Sequence, residues 1–444
     1  MDNCGKVIFS FMFDDDSDDE EHHQRVIEAI VHHTSLENEA TKHGGSIVDR
    51  VYKNREREDH HRNLMSDYFI ERPHFNTTDF RRRFRMRKEL FYRILNDVVN
   101  HEPYFRQKKD GLGRQGLSPK QKLTVVFRML AWGCSADATD EYCRLGESTT
   151  LESLRKFCSV VEAVYGQWYL KSPNPADLYK LLHKASSRGF PSMLGSLDCM
   201  HWEWKNCPSS WAGQFTGHKK KLIVVLEAVA SYDTWIWHAF FGAAGSNNNI
   251  NILARSPLFN DVVHGVAPHV EYIVNGNQYH LGYYLAYGIY PRWATLVKTI
   301  SSPDNPKKRL FAQMQEAYMK DVERAFGILQ AQWAIFRGPA RMWCKDNLHS
   351  IMMTCIILHN MIVKDEYEYV EEEYDDEDMC PQQSRRARAR QYELEPNITY
   401  EYHQDRQTLS DYMIRHNRVR SPHVHQSLRH DLINHLWRSF GDGE

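Results

Sequence analysis

Two acids define the chemistry open to this 444-residue chain: Asp198, in the short apolar run 193–199, and Glu323, in a helical stretch far downstream. Residues 193–199 have the texture of a strand. The later stretch carries Leu310, Met314, Tyr318, Val322, Phe326, Leu329 and Trp333 on one helical stripe, with Glu323 beside it and Gly327 one turn further on. Such carboxylates suit polynucleotidyl transfer, in which Mg²⁺ or Mn²⁺ takes oxygen ligands, generates a hydroxide nucleophile and stabilises the departing alkoxide. By themselves, however, a strand aspartate and a helix glutamate are as a rule a satisfied polar group and a solvated charge, and both readings stand on these residues alone.

The elements needed to hold the pair are legible around it. Residues 222–230, 235–243 and 283–287 repeat the β-prone texture and read, with 193–199, as the strands of one sheet. A helix over 310–336 is expected to lie against that sheet, followed by a second over 346–363. Upstream, Thr77, Thr78 and Asp79 offer N-caps to a run with Phe80, Phe84, Phe91 and Leu95 at helical spacing. Ser118, Pro119 and Gln121 form N-cap, first-turn proline and capping-box glutamine ahead of 123–132, which Gly133 closes. Thr149 and Glu152 read as a second capping box ahead of 154–165. Residues 75–170 therefore form a helical domain of helix-turn-helix rhythm. Its last helix, with Leu151, Leu154, Phe157, Val160, Val161 and Val164, is apolar and better suited to core packing than to reading a groove.

The ends differ in composition. Residues 14–21 hold seven acids in eight positions ahead of a polar helical stretch at 24–40, so 1–74 reads as mostly disordered. Residues 365–378 hold ten acids in fourteen positions, and 365–444 reads as an acidic then basic tail, mostly disordered, with one helix near 428–440. A net charge of −2 disfavours a uniformly basic nucleic-acid coat, so any such surface must be local. The candidates are Arg81, Arg82, Arg83, Arg85, Arg87 and Lys88 on one helix, equally readable as a solvated face, and Lys219, Lys220 and Lys221 beside His218, which read more readily as a plain loop. The run 385–390, RRARAR, reads as a nuclear-import signal, giving an expected nuclear location. No run is long and apolar enough for a membrane span, and nine cysteines without a C-x-x-C pair favour reduced thiols over structural zinc. His359, in an apolar helix, reads as a satisfied core group, and Trp202, Trp204, Trp211, Trp235 and Trp237 read as core.

The segment 193–217, MLGSLDCMHWEWKNCPSSWAGQFTG, resembles the first catalytic block of plant Harbinger-type transposases, and the likeness continues through GIYPRWATLVKTI, DVERAFGILQAQWAIFRGPAR and CIILHNMIV, over about 75–364. The resemblance implies a ribonuclease H-like α/β fold, a mixed sheet with flanking helices after the helical domain, and metal held by Asp198 and Glu323. It also implies work on terminal-repeat DNA beside a separate Myb-like DNA-binding protein. Two positions depart from the family pattern. Tyr287, in AYGIYP, stands where an aspartate is expected, and Asn249, in GSNNN, replaces an acid commonly counted in the site. A tyrosine is a neutral phenol near pH 7, and an amide carries no charge. The expected function is therefore a transposase-derived nuclear protein with an incomplete carboxylate set, catalytically inactive and acting by partner or DNA binding. Two alternatives stay open: an active metal-dependent endonuclease with a substituted site, and a sequence-specific DNA-binding protein that uses its N-terminal helices.

Overall fold

The chain begins its described part in helices and then turns to a sheet. The computed structural model describes residues 55–267, 269–374, 399–401 and 409–441, and the runs 14–21, 24–40 and 385–390 lie outside them. The helices are α1 (Arg57–Leu64), α2 (Thr77–Phe84), α3 (Lys88–His101), α4 (Pro119–Trp132), α5 (Glu147–Tyr169) and α6 (Pro175–Ser187). The Ser118–Gln121 capping box starts α4, and Gly133 ends it at a φ of 67°, a conformation that glycine adopts freely. Two caps differ from expectation. Asn76, ahead of the three expected residues, caps α2 by accepting from the Asp79 amide, and α5 starts at Glu147 after Gly146, so Thr149 and Glu152 lie inside the helix.

Strands β1 (Met193–Glu203), β2 (Ile223–Ala230) and β3 (Ile236–Ala244) form an antiparallel meander. Two short helices follow, α7 (Asn249–Arg255) and α8 (Asn260–His264), then β4 (His269–Val274), β5 (Asn277–Tyr279), β6 (Tyr283–Ala286) and β7 (Leu296–Lys298). β6 joins β1 in parallel and β7 joins β6 in parallel, giving a mixed five-stranded sheet of order β3-β2-β1-β6-β7. β2 is buried almost throughout, as befits an apolar run covered on both faces. The four strands read from the sequence are all present. β4, β5 and β7 are additions: the loop Asn275–Gly276 turns β4 into β5, and both turn residues have positive φ.

Two long helices complete the body, α9 (Pro306–Gln332) and α10 (Lys345–Tyr374). α9 lies on the face of β1 that carries the even-numbered residues. Ser196 Oγ donates to the Tyr318 carbonyl at 2.9 Å, Gln330 Nε2 meets the Met200 sulfur at 3.1 Å, and Gln315 Nε2 donates to the Ala286 carbonyl at 3.1 Å. α10 packs along α5, and the buried Asn360 ties three elements together: its amide donates to the Tyr169 and Ile236 carbonyls and its oxygen accepts from the Ile236 amide. The apolar residues Leu154, Phe157, Val160 and Val161 of α5 are buried in this packing. Among the described residues no helix is long and apolar enough to cross a membrane.

Both ends of the folded part extend beyond what the sequence suggested. Within the expected disordered 1–74, residues from Arg57 are helical, and Tyr68 and Phe69 bury themselves against Phe80, Phe84 and Phe91. Within the expected tail, α11 (Leu409–Val419) and α12 (Pro422–Phe440) follow the short strand β8 (Thr399–Glu401), which pairs with β4. Leu428, Leu432 and Leu436, one turn apart, sink into the core, and Asp431 accepts from Tyr279 at 2.5 Å and Asn277 at 2.8 Å. α12 is the helix expected near 428–440; high charge density hid its docking into the core and hid α11. Arg55–Glu444 thus form one compact unit, and the helical region is not a separate body. Leu432→Ala should cost about 2–5 kcal/mol in guanidinium unfolding, the cost of emptying a fully packed site, whereas a tail loosely held to the surface would show no measurable loss.

Candidate active site at the ends of the central strands

β1 and β6 run side by side in parallel, and their last paired residues are Ser196 and Leu285. Asp198 lies two residues further along β1, and Tyr287 two residues beyond Leu285, just past the end of β6, so continued alternation presents them together on the face covered by α9. Glu323 comes down from α9 onto the same spot. The Tyr287 hydroxyl donates to Glu323 Oε1, and Lys320, one turn earlier on α9, reaches Glu323 Oε2 at 3.0 Å. The three residues that the resemblance nominated from separate parts of the chain are therefore neighbours.

Their protonation follows from these contacts. Burial pushes the Asp198 carboxyl up to about 6; the Cys199 amide partly offsets this by donating to it, and the nearby Glu323 charge adds to the rise. Glu323 is held below the usual carboxylate range, chiefly by the hydrogen bond from Tyr287 and further by Lys320. Tyr287 is pushed above the usual phenol range by burial, by its bond to Glu323 and by the charges of Glu323 and Asp198. At neutral pH the set is thus one poorly solvated aspartate, one capped glutamate and one neutral phenol. Among the described residues, no three His, Cys, Asp or Glu side chains gather where they could hold a metal ion.

Asn249 does not join them. It starts α7, which Ile252 and Leu253 anchor on the opposite face of the sheet, among Val225, Ala243, Leu197 and Val229. The other nearby acids are engaged elsewhere. Glu203 pairs with Lys221 at 2.7 Å, Asp261 accepts from Ser172 at 2.8 Å, and Asp233 accepts from the Trp235 amide at 3.3 Å. Glu227 on β2 is fully buried with no hydrogen bond to either carboxylate oxygen, and the His238 Nε2 lies 3.5 Å from its Oε1. Nothing in the sequence marked Glu227 as buried, since an acid in an apolar strand reads equally well as facing solvent.

The basic cluster does not lie on one helix as expected: Arg81, Arg82 and Arg83 sit in the last turn of α2, Arg85 in a left-handed conformation ends it, and Arg87 precedes α3, which Lys88 begins; most of these charges have partners within the fold. Arg81 pairs with Glu366, Arg82 with Asp79 at 2.8 Å, and Arg87 forks onto Asp365 at 2.7 and 2.9 Å. Arg83 lies 3.7 Å over the Phe75 ring and Arg85 5.1 Å over Trp132. Lys88 is half-buried at the start of α3. Lys219 and Lys220 are exposed in the turn before β2, and Lys221 holds Glu203. His359 is fully buried between the Thr234 carbonyl and the Gln332 side chain, each at 2.8 Å, and burial lowers it to about 4; it is the satisfied core histidine expected.

With this geometry in view, the class of the domain follows: residues 167–370 match the plant transposon protein family, which bears out the Harbinger-type, transposase-derived kinship read from the motifs, and residues 61–99 match a domain of unknown function. Asp198, Tyr287 and Glu323 all fall inside the first match. Among curated proteins, Protein ALP1-like of Arabidopsis thaliana is 23% identical over 286 residues, covering 63% of this chain and 68% of its own length. No solved structure matches.

The raised Asp198 carboxyl makes a signed prediction. From the ordinary 3.8 up to about 6, the folded protein keeps a proton that the unfolded chain releases, so stability is lost as pH rises through this window. Wild type and Asp198→Asn should unfold alike near pH 4, and at pH 7 the variant should be more stable by at most about 3 kcal/mol. A gap independent of pH would show that Asp198 is not strained by burial.

Proposed function

We propose that this chain is a Harbinger transposase-derived, nuclease-like protein that has lost DNA cutting and works in the nucleus by binding a partner or DNA. The sheet order, with three antiparallel strands followed by two parallel to the first, supports a ribonuclease H-like domain. In such a domain a strand-end acid pair and a helix acid hold divalent ions that generate the nucleophile and stabilise the leaving oxygen. The residues present do not fit that group. One observation carries the reading: Tyr287, in the second strand-end position, gives its hydroxyl to Glu323 and so fills the helix carboxylate with a neutral donor. A hard cation needs anionic oxygens there, and a donor hydroxyl turned to the same carboxylate competes with it. Lys320 adds a positive charge on the other oxygen. Loss of one member of a cooperating catalytic set costs on the order of 10⁴-fold in rate.

Restoration is the direct test. Purified wild type should not cut terminal-repeat duplex with Mg²⁺ or Mn²⁺, and Tyr287→Asp with Asn249→Asp, assayed with a Myb-like partner, should regain cutting. Because Asn249 lies on the opposite face, Tyr287→Asp alone should supply most of the gain. Cutting by the wild type that Asp198→Ala abolishes would overturn the proposal. The convergence of Asp198 and Glu323 favours one rival, a single-ion nuclease. That rival requires tight Mn²⁺ binding in calorimetry, lost in Glu323→Ala, where the inactive reading expects weak binding throughout.

A further inference from the structure

A cavity of about 700 Å³ opens where α5, α6, α10 and the β2–β3 turn meet, remote in sequence from Asp198 and Glu323. Its wall is aromatic. Trp168 is 62% exposed at the end of α5, Tyr169 and Trp235 lie near-parallel with ring centres 6.1 Å apart, and Trp237 stands 5.5 Å from Trp235. Arg93, Lys171, Lys180 and Lys364 line it as well, the first and the last two exposed, with the Lys364 ammonium 5.9 Å from the Tyr169 ring centre. Two acids share the lining: Asp177 accepts from the Asn174 amide and lies 4.0 Å from the Lys171 ammonium, and Asp233 accepts from Ser231 and the Trp235 amide. The Trp235 indole N–H, buried in this wall, has no hydrogen-bond partner.

These features specify a guest. With Lys171 paired to Asp177, the cations Arg93, Lys180 and Lys364 outnumber the one remaining acid, Asp233, and this excess disfavours a cationic guest, so an aromatic cage for a methylated amine is the wrong chemistry here. The exposed Trp168 ring and the half-buried Trp235 and Trp237 rings favour a planar group, and the unpartnered indole N–H asks for an acceptor. An acidic peptide would satisfy the cations and leave the rings unused. We propose that this cavity binds single-stranded nucleic acid, with a base stacked on Trp168 or on the open part of Trp235 and its phosphates on the rim cations. Trp235 and Trp237, expected as core, are then half-buried parts of a binding wall. The inference goes beyond the carboxylate reading and uses neither Asp198 nor Glu323, so cutting could be wholly absent with this binding intact.

The test uses the full chain and a short fluorescein-labelled oligothymidylate, followed by anisotropy at low salt. Saturable binding is expected, weakened about tenfold by Trp168→Ala, the size of one lost base stack. Lys180→Glu should weaken it too and flatten its salt dependence, and Trp343→Ala, which removes another exposed tryptophan, should leave it unchanged. Trp168 is exposed, so its variant should melt with the wild type, and matched melting curves separate lost binding from lost fold. Equal binding by wild type and Trp168→Ala overturns the proposal. So does the absence of oligothymidylate binding, or its displacement by a poly-glutamate peptide, which would assign the cavity to acidic peptides. Loss of terminal-repeat duplex binding with single-strand binding retained would count against the proposed function and leave this site standing.

Discussion

The seating of α9 across β1 and β6 governs the rest of this molecule. Three side-chain bonds fix it, from Ser196, Gln330 and Gln315, and they fix the rotation of the helix as well as its position. A helix so held can offer only one of its faces to the strand ends, and Glu323 is on it. The parallel register of β1 and β6 independently brings Asp198 beside Tyr287. The meeting of three distant residues is thus a consequence of sheet pairing and helix rotation, and it survives whatever side chain occupies each position.

That separation between scaffold and chemistry means the fold can hold these three positions together whichever side chains occupy them. An aspartate at position 287 would face two other acids in a half-buried setting, where like charges repel and a divalent ion is the natural relief. Tyrosine supplies a donor and so resolves the repulsion internally, with Lys320 helping from the helix surface. Asp198 is left without such relief, which is why burial dominates its protonation. Tyr287, Glu323 and Lys320 form a small self-contained hydrogen-bond network.

Much of this architecture could be read from residue patterns, because the signals were local. The β-prone runs gave the four long-paired strands, the seven-residue stripe gave α9, and Ser118 with Gln121 gave the start of α4. The misses were of two kinds. α11 carries its apolar residues among many charges, and for α12, whose helix near 428–440 was legible, the same charges hid its docking into the core; Tyr68 and Phe69 sit before the expected start of the fold. Asn249 is a miss of the second kind. The motif match placed it in the site, but facing is decided by which side of the sheet α7 packs against, and no spacing rule reports that. Glu227 belongs here too, since its burial depends on β2 being an interior strand.

The contact of α12 with the rest has a bearing on how the protein is made. Gly189, with a φ of 81°, lies at the turn that leads into β1, and a side chain there would collide with Leu436 and Phe440. The entry to the first strand is therefore shaped to receive a helix encoded some 230 residues later. During synthesis the sheet can form its β1–β2–β3 meander early, yet α9 and β7 stay uncovered on this side until 422–440 have emerged. A nascent chain halted before that point would display sticky apolar surface and be a natural client for chaperones.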